Sequence, residues 1–394
     1  KCFKNEEISF LAEDGKPAKW VTLIGENATG KTTILQILAL LLAGVEDASN
    51  LMPEPNYWLH KENKPGRIGL LFIPGSKDFE LYGIDMGERV QFGNRRIHEK
   101  QSSGISIVGN ELVELNYKEW VEIEEGEFKE ITRKKQFNKA SIVEPDGEFP
   151  FHSYDFSFTE GHFAVAYGGF RRPARVDSVV QFERPGVSRV SGLESLFNEV
   201  PLATFNQWVS FLDYNRTKGD PDSGKALKIV IDAINNLMPD FITFDESTLA
   251  KSGHIQFLVQ GKSLPVSMLS DGARSVLSFA GDVIWRLINT FIESDDVLKE
   301  EGIIIIDEFD AHLHPHWQSW IAQKLQSVFP NIQFIVATHS PLIAMGAYWN
   351  QETGQRNESV LTLKLEMNDG DVSVRKISDD IATMDIGRLL ESPA

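Results

Sequence analysis

The sequence predicts an α/β fold: a mainly parallel sheet with helices on its faces, plus an inserted, largely helical lobe. Three observations carry this expectation. Short all-apolar runs, Trp20-Val21-Thr22-Leu23-Ile24, Ile303-Ile304-Ile305-Ile306 and residues 332–337, read as strands buried on both faces. Helical periods stand between and after them, at residues 32–43, 270–292 and 317–328. Strand alternating with helix is the pattern of a parallel sheet covered on both sides.

The first strand ends at Gly25 and gives way to Glu26-Asn27-Ala28-Thr29-Gly30-Lys31-Thr32-Thr33. This satisfies G-x-x-x-x-G-K-[ST], a pattern that arises by chance on the order of once per hundred chains of this length. The glycines let the backbone curl until successive N–H groups point inward at phosphates, and the following helix adds its positive end. Lys31 then reaches the β- and γ-phosphates of a nucleotide, and the Thr32 hydroxyl is placed to ligate Mg²⁺. The 32–43 run is too short to span a bilayer and reads as a buried helix.

Ile306 is followed by Asp307-Glu308. A buried strand ending in two acids delivers them to the sheet's C-terminal edge, where such folds bind ligands. Asp307 is expected to hold Mg²⁺ and Glu308 to act as general base toward water. Leu269-Ser270-Asp271-Gly272-Ala273-Arg274 opens the long helix with a hydroxyl and a glycine at its N-terminus, a second phosphate receptor. Phe334-Ile335-Val336-Ala337-Thr338-His339 ends another buried strand on a histidine able to contact a γ-phosphate and orient water. His312, His314 and His316 alternate after Asp310, but no cysteine accompanies them, so zinc is disfavoured. Pro315 suits the first turn of a helix there.

Between these motifs, residues 50–150 alternate strand-like runs with turn signals, as at 67–73, 105–108 and 119–123. Residues 192–214 and 225–237 read as helices, and 241–244 and 255–259 as strands. The expected division is 1–175 as the N-terminal part of a split α/β domain, 176–262 as the inserted lobe and 263–394 as the C-terminal part. The inserted lobe is the natural place for partner contacts.

The bulk numbers narrow the function classes. At 394 residues the chain supports a large core and two or three lobes. A formal net charge of −18 argues against a broadly basic, nucleic-acid-binding surface. Arg95-Arg96, Arg133-Lys134-Lys135 and Arg171-Arg172-Pro173-Ala174-Arg175 remain as local basic candidates. The lone cysteine, Cys2, forms no internal disulfide and fits a reducing cytoplasm. No secretory signal and no membrane-spanning run is visible. The chain opens without Met and stops after Ser392-Pro393-Ala394, which leaves a longer parent protein as an expectation.

In this order the four motifs resemble a P-loop ABC-type ATPase head. Leu-Ser-Asp-Gly-Ala-Arg, His-Leu-His-Pro and Ala-Thr-His-Ser-Pro are not the transporter form. They resemble SMC-like and RecF/OLD-like ATPases, especially the stand-alone antiphage defence ATPases of the Septu and retron-linked type. Tyr167-Gly168-Gly169-Phe170-Arg171-Arg172, Leu193-Glu194-Ser195-Leu196-Phe197 and Asn206-Gln207-Trp208 look like that group as well. Lys1-Cys2-Phe3-Lys4-Asn5 resembles the opening of SMC-like heads, which implies a phosphate contact for Lys1.

The resemblance implies ATP and Mg²⁺ as cofactors and His339 as the switch histidine. It implies a head-to-tail homodimer or higher homo-oligomer in which Ser270 and Gly272 bind the γ-phosphate held by the opposing subunit. It further implies a separate effector, a nuclease, under the control of this ATPase. A RecF/SMC-like DNA-repair ATPase that clamps DNA is the alternative, and DNA stays open as a partner. The resemblance also has departures. No glutamine matches the Mg²⁺-contacting Q-loop; Gln181 and the 167–172 stretch both remain candidates for that region. The long heptads of a coiled-coil arm are missing, and no acidic cluster has room for a Toprim domain after His339. Asp369-Gly370-Asp371 reads instead as a hairpin turn.

Overall fold

In the computed structural model the described residues are Phe3, 7–43, 45–52, the backbone of 66–72, 101–108, 113–124, 127–137 and 141–143, then 163–169, 189–199, Leu202, 205–249, 255–292, 294–311, 313–349, 354–368 and 371–377. Lys1, Cys2, the arginines at 95–96 and 171–175, Gln181, His312 and the 369–370 turn lie outside them, as do the side chains of 133–135.

In chain order the N-terminal elements are β1 (Trp20–Gly25), α1 (Lys31–Ala43), α2 (Val45–Leu51), β2 (Gly66–Phe72), β3 (Gln101–Val108), β4 (Val113–Glu124), β5 (Glu127–Phe137), β6 (Ser141–Val143) and β7 (Phe163–Tyr167). The middle holds α3 (Arg189–Leu193), a 3₁₀ turn (Glu194–Leu196), α4 (Phe205–Thr217), α5 (Pro221–Leu237), β8 (Ile242–Phe244), β9 (Gln256–Val259) and β10 (Lys262–Pro265). The rest comprises α6 (Asp271–Thr290), β11 (Gly302–Ile306), α7 (Pro315–Gln318), α8 (Ile321–Val328), β12 (Ile332–Thr338), α9 (Pro341–Tyr348), β13 (Val360–Asn368) and β14 (Asp371–Lys376).

The main sheet has six strands in the order β14-β13-β1-β12-β11-β7. All neighbours in it are parallel except the β13–β14 hairpin. β2, β3 and β6 form a small antiparallel sheet, β4 pairs with β5, and β8, β9 and β10 form a third sheet. The fold is therefore α/β with a mainly parallel sheet.

Alternation along each strand divides the core in two. Phe163, Val165, Tyr167, Ile304, Ile306, Phe334 and Val336 pack on one face. Ala164, Ala166, Ile305, Ile335, Ala337, Val21 and Leu23 pack on the other, against α1 and α2. The small alanines of β7 bring the helical layer close; the large residues opposite face α4, α5 and α6. Those helices bury apolar residues at spacings of three and four, such as Trp208, Val209 and Leu212 in α4 and Val276, Ala280, Val283 and Leu287 in α6. The 176–262 segment thus supplies helices to the core that covers the sheet.

Three helical runs differ from their expected extents by more than two residues or by being divided. The 192–214 run is divided into α3, the 3₁₀ turn and α4, with Pro201 standing between, a residue that removes a helical hydrogen bond. α5 begins at Pro221 because Asp220 caps it, accepting from the Asp222 N–H. The 317–328 run is two helices, α7 and α8. The carbonyl of Ser319, between them, lies so close to Gly346 of α9 that a β-carbon at 346 would overlap it. Among the described residues no helix is long and apolar enough to cross a membrane.

One buried ionic cluster ties α6 to the sheet edge. Asp282, 2% exposed, accepts from the Tyr167 hydroxyl at 2.8 Å and from Arg286 Nε at 2.7 Å. Burial, and secondarily the Asp282 carboxylate, push the Tyr167 hydroxyl well above its ordinary range, so it remains a donor. Asp282→Ala leaves the guanidinium and the phenol without that acceptor, and urea denaturation should show a loss of about 3–5 kcal/mol.

Candidate active site

The C-terminal ends of β1, β12, β11 and β7 lie side by side. Ile24 pairs with Thr338, Ile306 with Val336, and Ile306 with Tyr167. The residue after each strand end therefore opens onto the same edge of the sheet.

The loop from β1 to α1 takes its shape from two left-handed residues, Ala28 (φ 63°) and Gly30 (φ 88°). Alternating handedness turns successive N–H groups inward, the nest geometry suited to anions. Gly25 is required by close approach, since a β-carbon there would lie 2.6 Å from the Leu365 carbonyl of β13. The Thr29 hydroxyl donates to the Glu26 carbonyl at 2.9 Å and closes the loop. Lys31 starts α1 and is 6% exposed; its Nζ donates to the carbonyls of Gly25 (2.8 Å) and Glu26 (2.7 Å). Burial pulls its ammonium below the usual lysine range, opposed by the carboxylates of Asp307, Asp310 and Glu308.

Thr32 meets Asp307 directly, its hydroxyl donating to Oδ2 at 2.6 Å. Asp307 is itself buried, its N–H donating to the Tyr167 carbonyl at 2.8 Å and its Oδ1 accepting from the Glu308 N–H at 3.0 Å. Two oxygen donors in contact at the foot of the loop fit a hard cation such as Mg²⁺. Glu308 is exposed and has a left-handed backbone (φ 46°), a conformation costing a non-glycine residue about 1–3 kcal/mol when the surroundings impose it. Such strain is common at functional positions.

His339 follows β12 and is exposed. Its loop is held by Asp310, whose Oδ1 accepts from the His339 N–H at 3.0 Å and from the Thr338 hydroxyl. Ser340 caps α9 by accepting from the Leu342 N–H at 3.2 Å, with Pro341 in the first turn.

One cavity of about 190 Å³ gathers Asn27, Ala28, Thr29, Gly30, Lys31, Thr32, Thr33, Asp307, Glu308, Ala337, Thr338 and His339. Small-molecule pockets run to roughly 300–1,000 Å³, so this one suits a phosphate chain rather than a whole nucleotide. The structure thus brings the loop, both acids and the histidine together. Gly25 and Glu26 bound the loop just behind.

Ser270 and Gly272 are not among the lining residues. Ser270 is exposed and caps α6, accepting from the Ala273 N–H at 3.3 Å. His314 is likewise a cap, its Nδ1 accepting from the His316 N–H at 3.2 Å, and no metal-binding group of His, Cys, Asp and Glu occurs among the described residues. In the sequence Asp310 stands out only as the start of the stretch that holds the alternating histidines. Its spacing from Asp307 was a visible signal, but its partners, 28 and 29 residues away, were not.

Known proteins resemble this chain in sequence. The Septu protein PtuA of Bacillus mycoides is 26% identical over 385 residues, covering 94% of this chain and 42% of that protein. "Retron Ec83 probable ATPase" of Escherichia coli is 37% identical over 123 residues, 31% of this chain and 22% of that protein. "Retron Vc95 probable ATPase" of Vibrio cholerae is 33% identical over 133 residues, 33% and 25% respectively. The chain thus spans less than half the length of these relatives. Among solved structures, the SmcHead bound to the C-winged helix domain of ScpA covers 95% of this chain and 94% of that one, at 10% identity and a TM-score of 0.44. The family described as "AAA domain, putative AbiEii toxin, Type IV TA system" matches residues 21–345, from within β1 to within α9 and across the whole cavity, and the chain belongs to it.

Proposed function

We propose that this chain binds ATP with Mg²⁺ and hydrolyses it as an ABC-type, SMC-like ATPase. The observation that carries the reading is the 2.6 Å contact of Thr32 with Asp307 beside Lys31, in a cavity that also holds Glu308 and His339. The N–H groups of residues 27–33 receive the α- and β-phosphates, and Lys31 turns from its own loop carbonyls to the β- and γ-phosphates. Thr32 and Asp307 would hold Mg²⁺, which supplies charge neutralisation on the phosphates when bound. Glu308 takes the proton of the attacking water, and His339 contacts the γ-phosphate.

Ser270 and Gly272 belong, in this reading, to the nucleotide of a second copy. Ser270 stands exposed and Gly272 half-buried at a helix N-terminus with anion-receptor character, while the cavity covers only a phosphate chain. Two chains then close head to tail on two ATP molecules, and hydrolysis releases them. The similarity to Septu and retron ATPases supports a role in bacterial antiphage defence. In this reading the ATP state controls a separate effector, a nuclease. The net charge of −18 favours a protein client over non-specific DNA. A cytoplasmic location accords with the single cysteine.

Three substitutions test these assignments. Lys31→Ala should abolish ATP binding by calorimetry, and undiminished affinity would remove the phosphate-loop assignment. Glu308→Gln should lower turnover by about 10²–10⁴-fold while trapping an ATP-bound dimer, read by light scattering with size exclusion. Wild-type hydrolysis by that variant overturns Glu308 as base. Ser270→Arg should leave ATP binding to the single chain intact and prevent the ATP-dependent mass increase; a dimer of normal stability would remove Ser270 from the composite site.

A further inference from the structure

Two stretches from runs singled out in the sequence, 167–169 and 193–197, have no part in the roles above, yet they meet behind Glu308. The Gly168 N–H donates to Ser195 Oγ at 3.0 Å. Gly168 sits so tightly on the Ser195 carbonyl that a β-carbon would overlap it. The turn carrying Ser195 is in turn tied to α1, the helix of Lys31 and Thr32, because Gln36 Nε2 donates to the Leu196 carbonyl at 2.9 Å. On the other side Tyr167 is fixed twice, by its carbonyl to the Asp307 N–H and by its hydroxyl to Asp282. These anchors place Gly169 directly against the Glu308 side chain.

The approach leaves no room for a methyl group. A β-carbon on Gly169 would lie 2.5 Å from Glu308 Oε2, 2.9 Å from its Cδ and 3.5 Å from its Cβ. Backbone on the Gly169 side is anchored, and the Glu308 backbone is held in turn by its N–H to Asp307 Oδ1 and its carbonyl to the Ala311 N–H. The atoms nearest the added methyl are the far end of the Glu308 side chain, so the methyl displaces the carboxylate by rotation about the side-chain bonds.

We infer that Gly169 is a positioning residue for Glu308, its missing side chain forming the slot in which the carboxylate lies, with Ser195 holding that slot in place through Gly168. The inference rests on Glu308 being the base proposed above. It gives a task to both runs: the glycine pair makes a wall of backbone, and the 193–197 segment braces that wall against the phosphate-loop helix. Nucleotide binding does not involve the slot, so its loss should affect the chemical step alone.

The test uses the full chain, with steady-state ATP hydrolysis, equilibrium binding of a fluorescent ATP analogue with Mg²⁺, and thermal melting. Gly169→Ala should lower kcat by about 100-fold, the loss expected from a base misplaced by about 1 Å, with analogue affinity within about twofold of wild type. Ser195→Ala, which adds no volume, should lower kcat by about 3- to 10-fold through loss of one hydrogen bond, and Ser195→Thr should restore it. Gly169→Ala turning over at the wild-type rate overturns the inference. So does a parallel fall of kcat, affinity and melting temperature in both Gly169→Ala and Ser195→Ala. If Gly169→Ala does not fold, the Ser195 pair decides: a wild-type rate for Ser195→Ala, or no recovery in Ser195→Thr, overturns it. Glu308→Gln separates the two levels. Its retaining full activity removes the base assignment itself, whereas its inactivity beside a fully active Gly169→Ala removes only the positioning role.

Discussion

Parallel strands cannot be joined by tight turns, and this constraint organises the molecule. Each crossover must return over a face of the sheet, so the faces are covered and the strands become uniformly apolar. It also aligns every strand, so β1, β12, β11 and β7 all end on one edge. At that edge the backbone leaves the ladder, and polar side chains can gather without desolvating the core. The phosphate loop, Asp307-Glu308, the Gly168-Gly169 pair and His339 each begin directly beyond a buried strand. Chain segments hundreds of residues apart meet there because the register leaves them nowhere else to go.

The electrostatics of the edge follow from the same crowding. Lys31 sits among three carboxylates, yet burial outweighs them and draws its ammonium below the ordinary lysine range. Its hydrogen bonds go to carbonyl oxygens, not to those acids. Asp307 is occupied by Thr32 and by the next N–H. Neutral dipoles thus hold the Lys31 ammonium, and a neutral hydroxyl and an N–H meet Asp307, at the place where a polyanion and a divalent cation would enter.

What was legible in the sequence was local. The phosphate loop is a contiguous pattern, and its left-handed turns need glycine or tolerate alanine at fixed offsets. Asp307-Glu308 was legible because four isoleucines in a row, 303–306, read as a buried strand, and the phosphate loop earlier in the chain gives two acids at its end a task. The Ser270 cap and the helix it starts were also visible, with the end of α6 two residues earlier than expected. β7 and β13 were missed as members of the central sheet, although Phe163-Ala164-Val165-Ala166-Tyr167 and Val360-Leu361-Thr362-Leu363 carry the apolar signal. Their place is set by pairing with β11 and β1, far away in the chain. What α4 and α5 cover with their apolar faces was not legible, since periodicity reports that a helix is amphipathic but not what it packs on. Gly169 was noticed only as part of a family-like run, because its contact is with a residue 139 positions later in sequence.

Asp310 gives the edge a mechanical property. One carboxylate oxygen accepts both the hydroxyl of Thr338 and the N–H of His339, while Phe309, next to it, donates its own N–H to the Ala337 carbonyl. The segment after β11 and the segment after β12 are thereby fastened at adjacent residues. A displacement of Phe309 and Asp310, by a partner pressing on that surface, must either tear these bonds or carry the histidine with it. Two loops that look separate along the chain behave as a single lever, and the imidazole is at its working end.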